Sequence, residues 1–176
     1  MIIKKYTRVP KDKYIRLKDL FLEGSSGMLG SSSDYKCKLD SSLRLIEDNG
    51  GSIVTAENNG LIQGFILATD IHPGNLISIE YTAVSKRHMG KGVFKRMLAL
   101  LIENEHREIG LACLPHLKSF YSDLGFKPID SRSGFLIMIT HTRMLDVVLK
   151  AKNSKLVALK PNKNKIFESI STGMEP

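Results

Sequence analysis

Arg87-His88-Met89-Gly90-Lys91-Gly92 stands between a run of strand character, Leu76 to Val84, and an amphipathic run opening with Val93-Phe94-Lys95-Arg96-Met97-Leu98. Two glycines one residue apart, at a strand-to-helix passage, let the backbone turn tightly and let an anion come close. The following helix adds N–H groups without intrahelical acceptors and the positive end of its dipole. The segment therefore predicts a loop that cradles an anionic, phosphorylated ligand. Two familiar phosphate motifs do not fit it. A P-loop requires G-x-x-x-x-G-K-[ST], which the chain lacks, and the dinucleotide pattern G-x-G-x-x-G fails because Lys95 stands at its third glycine.

Upstream of the loop the apolar residues recur with a strand period. Ser52 to Glu57, Leu61 to Thr69 and Leu76 to Val84 are separated by Asn58-Asn59-Gly60 and by His72-Pro73-Gly74-Asn75. Both separators are turn signals, so the three runs predict an antiparallel meander. Before them, Ile2 to Thr7 reads as a first strand and Pro10 breaks it. Tyr14, Leu17, Leu20 and Phe21 fall at helical spacing within Lys11 to Glu23. Leu39, Leu43 and Ile46 give a second helix its stripe, with Ser33 or Asp34 as its cap and Asn49-Gly50-Gly51 as its end. The small, polar stretch from Gly24 to Ser33 reads as a loop.

Downstream, a helix is expected from Gly92 to about Arg107 and a short buried strand from Ile109 to Leu114. A short helix, Lys118 to Leu124, is stopped by Gly125, and strands follow at Lys127 to Ile129 and Phe135 to Thr140. Beyond them, Met144 to Lys150 has helical spacing, Leu156 to Leu159 reads as an edge strand, and the basic tail to Pro176 reads as mobile. The order is strand, two helices, three strands, helix, strand, helix, two strands. It predicts an α/β (α+β) fold, with a mixed, mostly antiparallel central sheet flanked by helices. Residues 1–141 make the expected domain and 142–176 a C-terminal extension.

Composition narrows the function classes. A chain of 176 residues, 42% apolar and 25% charged, has the balance of a globular domain with a real core. It has no apolar run long enough to span a bilayer, and no long apolar segment follows Lys4 and Lys5, so a cytoplasmic protein without a membrane partner is expected. Cys37 and Cys113 form no C-x-x-C pair, which argues against a disulfide or a zinc site, and no metal is expected. Cys113 lies in an apolar run and reads as a small core residue. The net charge of +8 gathers at the two ends of the chain. A nucleic-acid partner is the alternative this raises. A solvated lysine surface is favoured, because lysine outnumbers arginine there and no aromatics are interleaved for base stacking.

Three segments together carry a resemblance to a known family. The loop Arg87-His88-Met89-Gly90-Lys91-Gly92 matches the pattern Q/R-x-x-G-x-G/A. The strand before it ends in Thr82-Ala83-Val84, close to an L-A-V ending. Phe120-Tyr121-Ser122-Asp123-Leu124-Gly125-Phe126 matches F-Y-x-x-L-G-F in full. In this order, and on elements of the expected kinds, they resemble the GNAT superfamily of acyl-CoA-dependent N-acyltransferases over residues 1 to about 141.

The resemblance implies a GNAT-like fold and a set of roles. Acetyl-CoA is the implied co-substrate. Backbone N–H groups from about His88 to Val93, with Arg87, Met89, Gly90, Lys91 and Gly92 in the same loop, would hold its pyrophosphate. Its thioester arm would run along Ala83 and Val84, in a slot opened by a bulge in that strand and a splaying of the Ile109–Leu114 strand. Tyr121 would protonate the departing thiolate, and Phe120 would sit beside it at the cofactor. The N–H near Val84 would hold the oxyanion.

An amine acceptor needs a base, because an alkylammonium of pKa about 10.4 is not a nucleophile at neutral pH. Glu80 is the candidate, and strand alternation would set Ser78, Glu80, Thr82 and Val84 on one face. His72, His116 and His141 are the alternatives. An asparagine that many relatives carry seven residues before the tyrosine is here Leu114, followed by Pro115 and His116, so that role passes to no residue. The implied activity is acetyl transfer to a small-molecule or protein amine by direct attack in a ternary complex. A non-catalytic acyl-CoA-binding module and an acetyltransferase acting on charged RNA are the alternatives. The acceptor groove would lie between Asp12 and Gly51, where Glu23, Asp34 and Asp40 could attract a cation. Monomer and homodimer are both open.

Overall fold

Turns of a few residues leave successive strands no option but to pair antiparallel, and three do so in a row. The computed structural model describes residues 1–25, 32–71 and 75–158. Its strands are β1 (Ile2–Tyr6), β2 (Gly51–Asn58), β3 (Leu61–Ile71), β4 (Leu76–Val84), β5 (Glu108–Cys113), β6 (Lys127–Arg132) and β7 (Phe135–His141). They form one seven-stranded sheet in the order β1-β2-β3-β4-β5-β7-β6. Only β4 and β5 run parallel. The mixed, mostly antiparallel sheet matches the expected fold. The β2–β3 turn is made by Asn59 and Gly60, at φ 49° and 80°.

The helices α1 (Lys11–Ser25), α2 (Ser32–Asn49), α3 (Val93–Leu101), α4 (Lys118–Ser122) and α5 (Thr142–Ala158) flank the sheet, with short 3-10 turns at Lys86–His88 and Pro115–Leu117. One face is covered by α1 and α2. Leu17, Leu20 and Phe21 of α1 and Leu39 and Ile46 of α2 bury there against Phe65 and Leu67. The other face is covered by α3, with Met97, Leu98 and Leu101, and by α5, with Leu145 and Leu149. Residues at i, i+3 and i+4 place each apolar stripe on the sheet, and this burial supplies most of what holds such helices in place.

Two expectations are corrected. The helix after the glycine loop does not reach Arg107; it ends at Leu101. The Glu103 N–H donates to Leu100 and the Glu105 N–H to Ile102, tightening the chain, and Asn104 turns it at φ 62°. The chain must reverse there, because Glu108 lies beside Leu76 to begin the parallel pair. The edge strand expected from Leu156 does not form: Leu156 to Ala158 belong to α5. Leu145 and Leu149 anchor that helix in the core, and once nucleated a helix extends at little further cost. Leu159 and the tail to Pro176 lie outside the described residues, as do the Gly24–Ser33 loop from position 26 to 31 and His72, Pro73 and Gly74.

One buried carboxylate ties β1, α1 and β2 together. Glu57 is only 3% exposed. Its Oε2 receives Lys13 Nζ at 2.6 Å and Lys4 Nζ at 3.1 Å, and its Oε1 receives Tyr6 Oη at 2.8 Å and Thr55 Oγ1 at 3.0 Å. Burial alone would raise its pKa, but the hydrogen bonds from Lys13, Tyr6, Lys4 and Thr55 outweigh it and hold the pKa at about 2 instead of 4.5. A folded-state pKa below the unfolded one stabilises the protein fully above the unfolded value. Stability should therefore fall as the pH drops from about 4.5 toward about 2. Glu57→Ala leaves Lys13 without its partner and should cost about 3–5 kcal/mol in urea unfolding. The variant should also lose much of the acid-side slope, and an unchanged slope would remove Glu57 as its source.

Candidate active site

The site is built where the parallel pair comes apart. β4 and β5 pair from Leu76 with Glu108 to Ile79 with Leu111, and no further. Beyond that point β4 stays with β3, while β5 stays with β7 as far as Cys113 and Leu136. The divergence starts at a β-bulge. Leu67 faces Tyr81 and Ala68 faces Ile79, which leaves Glu80 without a partner on β3. A bulge adds one residue, bends its strand and releases ladder bonds.

The released backbone points into the gap. Ser85 N–H donates to Gln63 O at 2.8 Å. Counting back along an antiparallel ladder, Ala83 is then a hydrogen-bonded partner of Phe65, while Thr82 and Val84 are not. The amides of Thr82 and Val84 therefore turn away from β3, toward the side where β5 has departed. Such groups need a partner from solvent or ligand.

The gap opens a cavity of about 400 Å³, with Glu80, Tyr81 and Ala83 on the β4 side and Cys113, Leu114 and Tyr121 opposite. Gly24, at the end of α1, forms part of the wall; a methyl group on it would lie 3.0 Å from the Ala83 Cβ. Tyr121 comes from α4, whose chain is turned at Gly125 (φ 97°), with Phe126 N–H donating back to Tyr121 O at 3.1 Å. Its ring is fixed edge-on by Phe94, Phe120 and Phe126, at centroid distances of 6.0, 5.1 and 5.9 Å. Burial, and secondarily the neighbouring Cys113, push its phenol up to about 12. Among the described residues none hydrogen-bonds to its hydroxyl, so at neutral pH the site holds an uncommitted, protonated phenol.

The glycine loop follows β4 directly. Ser85 starts it, buried, with its Oγ 2.9 Å from His88 Nδ1 and 3.3 Å from Gln63 Oε1. His88 N–H donates to Ser85 O, and Lys91 N–H to His88 O at 3.4 Å. These two amides are committed within the loop, which narrows the expected set. Among the described residues, Met89, Gly90, Gly92 and Val93 find no backbone acceptor for theirs. Gly90 and Gly92 stand at φ 73° and 71°, a region that costs other residues about 1 kcal/mol or more. Gly92 caps α3, whose first turn adds further free N–H groups. Arg87 and Lys91 are exposed beside the loop, Met89 is exposed, and the Val93 side chain is buried in the core.

The bulge also revises the strand faces. Glu80 sits on the α1–α2 side, where its Oε1 accepts from Thr69 Oγ1 at 2.8 Å, and Tyr81 and Ala83 follow on that side. Thr82 and Val84 lie on the opposite face, with Val84 against the α3 layer. Strict alternation fails because the unpaired Glu80 advances the register by one. Of the histidines, His116 is exposed outside the cavity, the His141 ring accepts from Arg143 N–H at 3.2 Å, and His72 lies outside the described residues. Glu23 pairs with Arg16 at 3.4 Å and Asp40 accepts from Tyr14. The side chain of Asp34 lies outside the described set. Phe120 is 40% exposed and packs on Phe94 and Tyr121, beside the cavity and not in its wall.

The comparisons with known proteins bear on the same residues. The family model described as "Acetyltransferase (GNAT) family" matches residues 16–126. The chain belongs to the GNAT acetyltransferase family. The match takes in the bulged strand, the glycine loop and the Phe120-Tyr121 helix. Among solved structures, a GNAT-family acetyltransferase from Staphylococcus aureus Mu50 is 19% identical, covers 80% of this chain and 99% of its own, and has a TM-score of 0.64. The PaiA N-acetyltransferase from Thermoplasma acidophilum, solved with coenzyme A, is 18% identical over 80% of this chain and 99% of its own, at a TM-score of 0.63. An aminoglycoside 6'-N-acetyltransferase, also with coenzyme A, is 15% identical over 81% of this chain and 97% of its own, at a TM-score of 0.64. These likenesses concern the GNAT fold. No curated protein matches the chain in sequence.

Sequence reasoning missed several wall residues. Phe21, Phe65 and Phe135 read as core or strand positions, and only the splaying of β5 gives them a cavity to face. Cys113 reads as core and is buried, its Sγ 3.5 Å from Met138 Sδ, yet it also borders the cavity. Burial raises its pKa, so it holds little thiolate at neutral pH. A disulfide reagent at neutral pH should label Cys37, which is exposed, within minutes, and Cys113 only on unfolding. Equal labelling rates for both would contradict the burial.

Proposed function

We propose that the protein is an N-acetyltransferase that moves an acetyl group from acetyl-CoA to an amine in a ternary complex. The observation that carries this reading is the alignment of three features along one strand. They are the free N–H loop, the unpaired β4 backbone at Thr82 and Val84, and a neutral, uncommitted phenol across the cavity. Coenzyme A in the structures of two relatives supports the donor assignment.

The chemistry assigned to each residue follows. The amides of Met89, Gly90, Gly92 and Val93, with Arg87 and Lys91 nearby, bind the pyrophosphate. The pantetheine arm pairs with the cleft side of β4 as a strand would, and the Val84 N–H receives the carbonyl oxygen as it becomes an oxyanion. Glu80, held at one oxygen by Thr69, takes a proton from the acceptor ammonium through its other oxygen or through water. The free amine attacks the thioester carbonyl carbon, and the carbon–sulfur bond breaks. The Tyr121 phenol gives its proton to the leaving sulfur and regains one from the nitrogen of the new amide. A phenol near 12 is a weaker acid than a thiol of about 8.5, so the two transfers must be coupled. The surrounding site supplies orientation.

Purified protein should bind acetyl-CoA saturably and release free thiol in the presence of a suitable amine. Tyr121→Phe should lower kcat by about 10²–10⁴-fold while acetyl-CoA affinity stays within a few fold. Unaltered kcat would show that the phenol is not the acid. Glu80→Gln should lower kcat by about 10²-fold or more without changing acetyl-CoA affinity.

A further inference from the structure

Resting on that reading, we propose that the acceptor is a primary monoamine with an apolar body of aromatic size, and not a polycation. Of the cavity of about 400 Å³, the Thr82, Cys113 and Tyr121 side takes the end of the pantetheine arm, and the Phe21, Phe65 and Tyr81 wall beside Glu80 is left to the acceptor. The cavity's described walls are mostly apolar. Glu80 is the only acidic residue in the described lining, which includes no Lys, Arg or His. Thr69 holds one of its oxygens, which leaves one carboxylate edge to receive one ammonium.

The wall beside Glu80 is aromatic. Phe21 and Tyr81 meet edge-on at 4.8 Å between ring centroids. The Tyr81 hydroxyl lies near the Ser42 side chain, and Tyr81 borders the cavity. Phe65 and Phe135 line the same space. An amine with a flat apolar body would place its nitrogen at Glu80 and its ring against these faces, where aromatic contact adds to burial.

A polyamine or an aminoglycoside carries several ammonium groups. Each one that entered the cavity without a carboxylate would carry the cost of an unpaired charge in an apolar space. Long-range electrostatics act in the same direction. The chain carries a net charge of +8, which repels a polycation more strongly than a monocation.

The test is thiol release from acetyl-CoA at about 0.15 M salt with 2-phenylethylamine, spermidine and kanamycin as acceptors, on the full chain. We expect kcat/KM for 2-phenylethylamine to exceed that of either polycation at least tenfold; the reverse order overturns the proposal. Ala112 is exposed on β5 and lines the cavity on the side that Glu80 occupies. Ala112→Asp adds a second carboxylate there and should shift the ratio toward spermidine about tenfold. An unchanged ratio overturns the single-carboxylate account. Calorimetry of 2-phenylethylamine against protein saturated with coenzyme A separates this proposal from the activity it rests on. Binding without turnover supports the pocket and removes the transferase reading. Transfer to another amine with no 2-phenylethylamine binding overturns the pocket and keeps the transferase.

Discussion

Everything at the site depends on the parallel pair of β4 and β5 ending at Ile79 and Leu111. A sheet that zipped to its end would satisfy its own amides and close the cavity. Here the bulge at Glu80 bends β4 away, and β5 stays with β7. The gap exposes backbone groups in the middle of a domain, where unpaired amides are costly. It also turns one carboxylate and one ring, Glu80 and Tyr81, to the same face, which unbroken alternation forbids.

The layers on either side keep the gap open. Phe21 of α1 fills space against Tyr81 on one face. Phe94 of α3 holds Tyr121 and Phe120 on the other. A ring clamped by three others cannot swing away from the cavity, and its burial keeps its proton on. The same packing that orders α4 thus keeps the phenol neutral. Ser85 does the corresponding work for the loop: buried and bonded to Gln63 and His88, it fixes where the glycines begin to turn.

Several elements are legible in the residues themselves. Gly90 and Gly92, after β-rich Leu76 to Val84, announce a tight turn and a helix, and both glycines stand at positive φ there. The Phe120-Tyr121 segment ends at Gly125 in the left-handed region, as its motif implies. The end of α3 is not legible, because Leu100, Leu101 and Ile102 continue the apolar stripe and the stop is made by Asn104 under the demand for a parallel crossover. The strand expected at Leu156 fails for a similar reason: α5, anchored at Leu145 and Leu149, runs through it.

By itself, the sequence determined the local conformations that few residues can adopt: glycine turns, the strand period of two, and the helix stripes. Those are set by each residue's own sterics and by burial over short spans. Only the tertiary structure decided which side of β4 Glu80 occupies, which amides remain unpaired, and which aromatic rings line a cavity and which fill the core. A one-residue bulge reverses a strand's faces without altering its composition, and the divergence of β5 is a matter of pairing between segments distant in the chain. The physical reason is that backbone pairing is a choice among partners, and only the assembled sheet makes it.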